Sequence, residues 1–421
     1  MKVLVVGSGG REHAIIKKLS ESKDASEIIC APGNGGISDI AKCFNVSATD
    51  IDGMVELAKA QKVDFVVVAP DDPLALGMVD AMEKAGFPAF GPDKAAARIE
   101  ASKIFAKELM EKAHIPTAKS GVFDDAKAAK EYIDSVGAPI VIKADGLAKG
   151  KGVIIANTID EAKAAVDMIM EDKVFGNAGA RILVEEFLTG TEASIMCFCD
   201  GKHIVPMISS QDHKRLSDGD KGLNTGGMGA FAPTPCYTPE LAERVEREIL
   251  IPTVKAMADM GCPFKGVLYA GLMLTEKGPY VLEYNSRFGD PETQVVLPMM
   301  QGDLLEVMQS CRNGELDKCN ISWSGGGACV VVAVSGGYPE KYQNGYEIKG
   351  LDTITDNDAW IIHAGTKKEN DRYLTAGGRV LGVCAKAGSL KEAIKRAYDN
   401  IEKISFENMF YRRDIGSKAD R

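Results

Sequence analysis

The run Val281-Leu282-Glu283-Tyr284-Asn285-Ser286-Arg287-Phe288-Gly289-Asp290-Pro291-Glu292 decides the fold that this sequence predicts. It begins as an apolar strand, and positions two apart in a strand face the same side, so Glu283 and Asn285 present two oxygen atoms together. A carboxylate and a carbonyl oxygen are ligands that hard divalent cations prefer. Arg287 continues the same face and can bind a phosphate or carboxylate as a two-pronged donor. A strand this apolar cannot be wet on both faces, which favours a metal-binding strand end over a surface hairpin.

Size, charge and cysteine spacing limit the kind of protein. A chain of 421 residues is too long for one core and predicts three or four packed units. The net charge of −10 argues against a nucleic-acid partner, because phosphate backbones are bound through excess Lys and Arg. The ten scattered cysteines lack a CxxC spacing, which favours reduced thiols over a disulfide or zinc framework. The first apolar run stops at Gly7, so we expect a cytoplasmic protein without a signal peptide or a membrane partner.

The first hundred residues predict a small doubly wound domain, since the apolar runs 3–6, 27–30 and 65–69 alternate with helical stretches. The glycine-rich turn after the first strand resembles a dinucleotide-binding fingerprint but fails it twice. Glu12 occupies the place of the third glycine, and no acidic residue follows the second strand at 31–34. A helix N-terminus remains a good seat for an anion, so a phosphate-bearing substrate is expected there instead of NAD.

The remaining chain predicts a multidomain protein with α/β and α+β units. Four units are expected, with boundaries at 1–101, 102–186, 187–323 and 324–421, the last one rich in strands. Single helices are predicted over 95–114, 159–171 and 239–260, strands over 205–209 and 278–284, and a long loop over 210–235.

Two further stretches could contact a nucleotide. The glycine-rich run 143–152 lies between two strands and lacks the spacing of a Walker A loop, so it is either a flap over phosphates or a solvated charged hairpin. Lys143 ends an apolar strand, where a lysine needs a buried anionic partner. The acidic residues at 185–186 could simply end a strand, or the backbone at 185–188 could contact an adenine edge while Glu192 accepts from ribose hydroxyls.

Several motifs together resemble one family across essentially the whole chain. They are Gly7–His13, Lys143–Gly152, Gln211–Arg215, Asn224–Gly229 and Arg287–Gln294, and in the last unit His363–Thr366, Gly377–Val380 and Tyr411–Gly416. This set resembles the ATP-grasp superfamily, and within it the glycinamide ribonucleotide synthetase (phosphoribosylamine–glycine ligase) family. The Arg287–Glu292 run is the most specific of these motifs.

The resemblance implies a ligase of de novo purine biosynthesis that uses ATP and Mg²⁺ or Mn²⁺. The carboxylate of glycine would attack the γ-phosphate of ATP, and the amine of 5-phosphoribosylamine would then displace phosphate from the acyl phosphate. Its partners would be these small molecules, and it would be a monomer or weak dimer. The loops at 145–152 and 212–229 would close the site and exclude water.

The resemblance also assigns residues to roles. The implied catalytic residues are Arg287, Asp212 and Lys143, and the metal ligands are Glu283 and Asn285. The implied nucleotide-binding residues are Lys103, Lys143, Gly150, Lys151, Gly152, Glu185, Glu186, Leu188 and Glu192. The implied substrate-binding residues are Gly9, Gly10, Asn34, Asp212 and Arg287. We expect a positioning role for His213, because an aligned neutral amine needs little help from a base.

Four positions depart from the family pattern on the sugar-phosphate side. Ala69 stands where Gly is usual and Asp71 where Glu is usual. Gly36 stands where Ala or Thr is usual, and Ala376 where Asn is usual. Two other functions remain open. One is a different ATP-grasp ligase, such as a phosphoribosyl-aminoimidazole carboxylase subunit or a biotin carboxylase. The other is a nucleotide-binding protein without catalysis.

Overall fold

The structure is a computed structural model that describes residues 1–148 and 152–419. The N-terminal unit is a five-stranded parallel sheet in the order β3-β2-β1-β4-β5. Its strands are β1 (Lys2–Gly7), β2 (Glu27–Pro32), β3 (Lys42–Cys43), β4 (Phe65–Val68) and β5 (Ala89–Phe90). Its helices are α1 (Gly10–Leu19), α2 (Ile51–Gln61), α3 (Asp71–Leu76), α4 (Met78–Lys84) and α5 (Lys94–Ala101). Helices cover both faces of the sheet, which is why the middle strands are apolar along their whole length.

The second unit is a four-stranded antiparallel sheet in the order β6-β9-β7-β8. Its elements are α6 (Lys103–Lys112), β6 (Ser120–Phe123), α7 (Ala126–Val136), β7 (Ile140–Ala144), β8 (Val153–Ala156), α8 (Ile159–Val166) and β9 (Ile182–Glu186). The prediction of one helix over 95–114 is wrong. Ser102 is extended, with φ of −137°, and its hydroxyl accepts the N–H of Phe105, so it ends α5 and caps α6.

The central unit is a four-stranded antiparallel sheet, β11-β10-β16-β17, formed by β10 (Thr191–Asp200), β11 (Ile204–Pro206), β16 (Lys265–Thr275) and β17 (Gly278–Asn285). The predicted strand over 205–209 is thus shorter than expected, whereas that over 278–284 is one residue longer. Gly271 pairs with Glu283 but Leu272 pairs with Val281, so Leu282 is an extra residue in β17. This bulge lies directly before Glu283, where such irregularities often redirect a side chain.

The prediction of a loop over 210–235 is also wrong, because four strands form there: β12 (Gln211–Asp212), β13 (Arg215–Ser217), β14 (Lys221–Asn224) and β15 (Gly229–Ala232). β13 and β14 form a hairpin. β12 and β15 join a five-stranded sheet in the order β12-β15-β20-β24-β21, whose other strands are β20 (Gly327–Val334), β21 (Ala359–His363) and β24 (Arg379–Ala387). The proposed boundary after residue 323 is therefore crossed by sheet hydrogen bonds.

Two predicted helices contain a widened turn. The helix over 239–260 is α9 (Pro239–Val245), a π turn (Glu246–Leu250) and α10 (Ile251–Asp259). Pro252 has no N–H to donate to residue 248, and a widened turn before it accommodates this loss. The helix over 159–171 likewise continues from α8 into a π turn at Asp167–Glu171.

The remaining elements complete the chain. They are α11 (Thr293–Val296), β18 (Met300–Gln301), α12 (Leu304–Asn313), β19 (Ser322–Trp323), β22 (Thr366–Glu369), β23 (Arg372–Thr375) and α13 (Leu390–Ile401). One apolar core contains side chains of β1, β10, β16, β20 and β24, so the first, central and last units pack on shared residues. No helix within 1–148 or 152–419 has the length and apolar character needed to cross a membrane.

Candidate functional site

Glu283 lies at the end of β17 among ammonium groups. Its Oε1 is 3.2 Å from Nζ of Lys214, which also lies 3.7 Å from the carboxylate of Glu192. The charge of Lys214, followed by those of Lys143 and Lys103, lowers the pKa of Glu283 to about 2. The carboxylate is therefore ionised at neutral pH and available to a cation.

Asn285 offers the second oxygen that the sequence predicted. Glu283 and Asn285 are both half-buried, whereas Tyr284 between them is buried, as expected for residues on one face of a strand. Oδ1 of Asn285 accepts a hydrogen bond of 3.1 Å from Nη2 of Arg287. A carboxylate and an amide oxygen are donors that suit Mg²⁺ or Mn²⁺, so these two residues fit the expected metal.

Lys143 has the buried anionic partner that its position predicted. Its Nζ lies 2.6 Å from Oε2 of Glu185 and donates to the carbonyl of Leu282 at 2.8 Å. A second lysine, Lys107, lies 2.6 Å from Oε1 of the same carboxylate. Lys107 is not among the residues predicted from the sequence, although it lies on the apolar stripe of α6, three residues after Ile104, where a lysine needs a partner.

The glycine-rich loop begins beside Lys103. Nζ of Lys103 donates to the carbonyl of Gly146 at 2.8 Å, and burial lowers the pKa of Lys103. Gly152 returns the loop to the sheet by accepting from the N–H of Ala144 at 2.8 Å. The predicted ligands Gly150 and Lys151 lie outside the described residues.

The expected adenine-binding stretch follows β9. The carboxylate of Glu185 is committed to two lysines, so only its backbone could contact a base. Glu186 is exposed and accepts the N–H of Lys119 at 2.9 Å, while Leu188 is half-buried. The side chain of Glu192 is 50% exposed, which leaves it free to accept from ribose hydroxyls.

Arg287 is held from the side of α5. Its Nη2 is 2.8 Å from the carboxylate of Glu100, and its Nε has no hydrogen-bond partner among residues 1–148 and 152–419. Asp71 lies near this guanidinium. Burial of Asp71 favours its neutral form, but the positive charges of Arg287 and Arg11 outweigh burial and lower the pKa of Asp71. Asp71, where the family usually has Glu, thus faces two cations across the junction of the first and central units.

Asp212 carries a buried carboxylate with an unused oxygen. Its Oδ1 has no partner in the described part of the chain, and a Cβ added at Gly227 would lie 2.9 Å from it. Burial and the nearby Glu292 raise the pKa of Asp212 well above its usual range, against the opposing charges of Lys214 and Arg379. An amine that donated to this carboxylate would supply the missing partner.

Gly9 and Gly10 pack tightly against their neighbours. A Cβ at Gly9 would lie 2.8 Å from Oε2 of Glu12, and one at Gly10 would lie 2.6 Å from Nε2 of Gln294. The amide of Gly9 already donates to Glu12, so this N–H is not free for a phosphate. The structure therefore brings both glycines to the Arg287–Gln294 segment, where they permit close approach of the two units.

Asn34 fixes the loop after β2. Its side-chain nitrogen donates to the carbonyls of Ser8 and His363 at 2.8 and 3.1 Å, and its oxygen accepts from the N–H groups of Gly36 and Ile37. Both polar atoms of the side chain are therefore engaged within the protein. The predicted contact of Asn34 with the sugar phosphate would have to displace one of these bonds or use its backbone.

All four departures from the family pattern have defined surroundings, and at Ala69 the main-chain carbonyl accepts from Nη1 of Arg11 at 3.3 Å. A Cβ at Gly36 would lie 2.4 Å from the imidazole ring of His363, which explains why glycine occupies this position. Ala376 is exposed and its N–H donates to Gly365, so the change from Asn loses no buried contact. Asp71 faces Arg287 and Arg11, as described above.

His213 faces the end of the chain instead of the reacting groups. It is fully buried, its Nε2 accepts from the N–H of Gly416 at 3.4 Å, and its ring packs on Phe231. Burial lowers the pKa of His213 to about 4, so it is neutral at pH 7. These contacts agree with the expected positioning role.

The last unit contributes Arg379, which the site predictions omitted although its motif resembled the family. Arg379 lies 3.1 Å from the carboxylate of Asp290 and donates to the carbonyls of Asp290 and Gly226. It therefore ties the segment of Arg287 to the loop beside Asp212.

Several buried polar atoms at this junction lack hydrogen-bond partners within the described residues, although one of them, Oε1 of Glu12, lies 3.5 Å from Nη1 of Arg11 in an ion pair. They are Nε of Arg11, Oε1 of Glu12, Oδ1 of Asp212, Nε of Arg287 and Oε1 of Gln294. Buried polar groups in native proteins are nearly always hydrogen-bonded, so the cluster is suited to a small polar ligand.

The chain is similar to proteins of one family along its length. It matches the family models described as Phosphoribosylglycinamide synthetase over residues 1–100 (N domain), 101–293 (ATP-grasp (A) domain) and 328–418 (C domain). The phosphoribosylamine–glycine ligase of Allochromatium vinosum is 48% identical over 422 residues, covering 100% of this chain and 99% of its own. The crystal structure of phosphoribosylamine–glycine ligase from Thermotoga maritima superposes with a TM-score of 0.85 at 32% identity, covering 99% of this chain and 100% of that one. The biotin carboxylase domain of Hydrogenobacter thermophilus 2-oxoglutarate carboxylase, at 17% identity and a TM-score of 0.75, covers 97% of this chain and 91% of that one and shares the fold. The chain belongs to the phosphoribosylglycinamide synthetase family, and its central part has the ATP-grasp fold.

Proposed function

We propose that this protein joins glycine to 5-phosphoribosylamine at the expense of ATP, releasing ADP and phosphate. One observation carries the proposal: Glu283, a carboxylate surrounded by three lysines, lies in the segment 281–294 with Arg287 and Gln294, and Nε of Arg287 and Oε1 of Gln294 are buried polar atoms without a hydrogen-bond partner among residues 1–148 and 152–419. The first feature suits a metal-bound nucleotide and the second suits a small polar substrate. The relatives that match the whole chain carry the name of this activity.

In the proposed first step, an oxygen of the glycine carboxylate attacks the γ-phosphorus of ATP, and the bond to the leaving ADP breaks. Both reactants are anions, so positive charge at the site lowers the barrier. Lys143, Lys103 and Lys214 supply that charge beside Glu283. A divalent cation held by Glu283 and Asn285 would neutralise the phosphates and orient them.

In the proposed second step, the amine nitrogen of phosphoribosylamine attacks the acyl carbon and phosphate leaves. Among residues 1–148 and 152–419, Oδ1 of Asp212 has no hydrogen-bond donor and is available to accept an N–H of that amine, and Nε of Arg287 has no acceptor and is available to donate to an oxygen of the acyl group. The amine gives up one proton as the amide forms, and the departing phosphate takes up that proton. The acyl phosphate would hydrolyse in water, so the burial of Asp212 and Arg287 favours transfer to the amine.

The proposal is tested by ADP formation with ATP and Mg²⁺, with glycine and freshly generated phosphoribosylamine each added or withheld. Release of ADP only when both are present supports the proposed reaction. Release with another carboxylate or amine would keep the ATP chemistry and overturn the substrates. Binding of ATP without any release would indicate a nucleotide-binding protein instead, and the same assay with Mn²⁺ compares the two metals.

A further inference from the structure

Lys107 is a buried cation that the proposed reaction does not use directly. It lies on α6 and is only 2% exposed. Its Nζ donates to Oγ1 of Thr117 and to the carbonyl of Ala118, both at 2.8 Å, and pairs with Glu185 at 2.6 Å. A lysine buried this deeply destabilises the folded protein unless its ammonium group is fully paired. The presence of a buried lysine with three partners at this position therefore requires an explanation.

The carboxylate of Glu185 is shared between two lysines. Oε1 faces Lys107 and Oε2 faces Lys143, each at 2.6 Å. The three side chains together carry one net positive charge. Without Lys107, Glu185 and Lys143 would form a neutral pair, and the charge that Lys143 offers to a phosphate would be largely cancelled.

The same lysine is connected to β17 by two routes that end beside Glu283. Through Glu185 it reaches Lys143, which donates to the carbonyl of Leu282, the extra residue of the bulge. The second route runs from Lys107 to Thr117. The hydroxyl of Thr117 donates at 2.9 Å to the carbonyl of Val281, the residue before Leu282. Lys107 thus supports both the head of Lys143 and the part of the strand that presents Glu283.

We propose that Lys107 is a positioning residue of the nucleotide site: by sharing the carboxylate of Glu185, it leaves Lys143 with a net positive charge and holds it against β17. This inference rests on the proposed function, in which Lys143 contacts the nucleotide phosphates. Lys107 itself touches neither nucleotide nor substrate.

The charge count of the three side chains makes the proposal testable. Lys107→Met keeps most of the buried stem and lowers the net charge to zero. The double change Lys107→Met with Glu185→Gln removes one charge of each sign and restores the net positive charge. Glu185→Gln alone raises the net charge to two.

The experiment measures the Kd of Mg-ADP by calorimetry and the KM for ATP and the kcat by ADP release. We expect Lys107→Met to weaken Mg-ADP binding at least tenfold and to raise the KM for ATP, and the double variant to return within about threefold of the unchanged protein. Lys112→Met, an exposed lysine on the same helix, is the matched control and should change neither value.

A purely structural role for Lys107 gives a different pattern. The double variant would then bind Mg-ADP no better than Lys107→Met, and that result, or a Lys107→Met protein with unchanged Kd, would overturn the proposal. If Lys107→Met fails to fold, the double variant still decides, because it leaves neither a buried carboxylate nor a buried Lys107 without its partner, and it must then match the unchanged protein. The unchanged protein tests the proposed function separately: if it binds no Mg-ADP, the proposed function fails before any variant is compared.

Discussion

At the scale of single residues, charge around Glu283 is the feature most directly open to test. Changing Glu283 to Gln keeps the shape of the side chain but removes the anionic oxygen offered to the metal. We expect kcat to fall at least a hundredfold with the fold intact, and Mn²⁺ binding in the presence of ADP, followed by electron paramagnetic resonance, to weaken in parallel.

The matched control for this change is Glu276→Gln, an exposed carboxylate at the turn of the same hairpin. It should leave both the rate and Mn²⁺ binding unchanged. Turnover retained by Glu283→Gln at saturating Mg²⁺ would refute the role of Glu283 as a ligand.

A second residue-scale prediction concerns Gly36, in the loop after β2. The imidazole of His363 lies 2.4 Å from the position of an added Cβ, so Gly36→Ala should overpack the contact between the first and last units. We expect a loss of about 1–3 kcal/mol in the free energy of unfolding, measured by urea denaturation.

Gly325→Ala is the control for this substitution, since an added Cβ there meets no atom within 4 Å. It should change the unfolding midpoint little. If Gly36→Ala proves as stable as the unchanged protein, then His363 can move away from the loop.

At the scale of elements, the hairpin β13–β14 is attached to the end of the chain. Arg412 is 1% exposed and pairs with Asp414 at 2.7 Å and Asp220 at 3.0 Å. Arg412→Met would leave Asp414 without this cation, whereas Asp220 would keep Lys418, whose Nζ lies 2.7 Å from its carboxylate. We expect a loss of about 1–3 kcal/mol, less than for a wholly buried pair because both carboxylates are partly exposed.

The same variant should increase amide hydrogen exchange in residues 215–224 more than elsewhere, as measured by mass spectrometry. Arg413→Met, at an exposed neighbour, serves as the control. Equal protection of the hairpin in both variants would show that its strands alone hold it in place.

The elements also show which structural features a sequence reveals. The parallel strands near the N-terminus and β17 were predictable because long apolar runs have few alternative structures. β12 and β15 were not, because strands of two and four residues are too short to show a periodicity. In addition, β15 pairs with β20, which joins residues about a hundred positions apart in the chain. The break between α5 and α6 left a signal in Ser102, a good helix cap within an otherwise continuous helical pattern.

The same distinction applies to the candidate site. Glu283, Asn285 and Lys143 could be found because polar residues at the end of an apolar strand are unusual. Lys107 and Arg379 were missed, since their importance depends on partners that only the folded chain brings near. The main-chain N–H of Gly9 already donates to Glu12, and the side chain of Asn34 is already hydrogen-bonded within the protein. Neither fact can be predicted from the residue types.

At the scale of the whole molecule, two buried histidines lie where the first and last units meet. Nδ1 of His13 accepts the main-chain N–H of His363 at 2.9 Å. Burial, and secondarily His363, lowers the pKa of His13 to about 3, and burial lowers that of His363 to about 4. In the unfolded chain both would titrate near a pKa of about 6.5.

These shifts predict a loss of stability on mild acidification. Below about pH 6.5 the unfolded chain binds protons that the folded chain does not, so the free energy of unfolding falls until the folded pKa values are reached. Each histidine contributes up to about 1.4 kcal/mol per pH unit in this window. Urea midpoints at pH 7, 6 and 5 measure the slope, to which buried His213 adds in the same direction and the carboxyl of Asp212, whose pKa is raised by burial, adds in the opposite direction.

An exposed histidine supplies the comparison for this experiment. His114→Asn removes a solvent-facing imidazole at a left-handed position that Asn tolerates, so the acid slope should persist. A midpoint that stays constant from pH 7 to pH 5 would mean that the two buried rings take up protons without disturbing the junction.

The sheet that joins β12 and β15 to β20 has a consequence for how the molecule could be divided. A backbone cut between Ser324 and Gly327 falls in the connection that leads into β20, and β20 pairs with β15 from the other side of the cut. The cut therefore does not fall between two separate domains. The two fragments would be held together by the main-chain hydrogen bonds of this sheet and by a common apolar core. A gene split at this point would therefore encode two fragments that depend on each other to fold and that travel as a non-covalent pair.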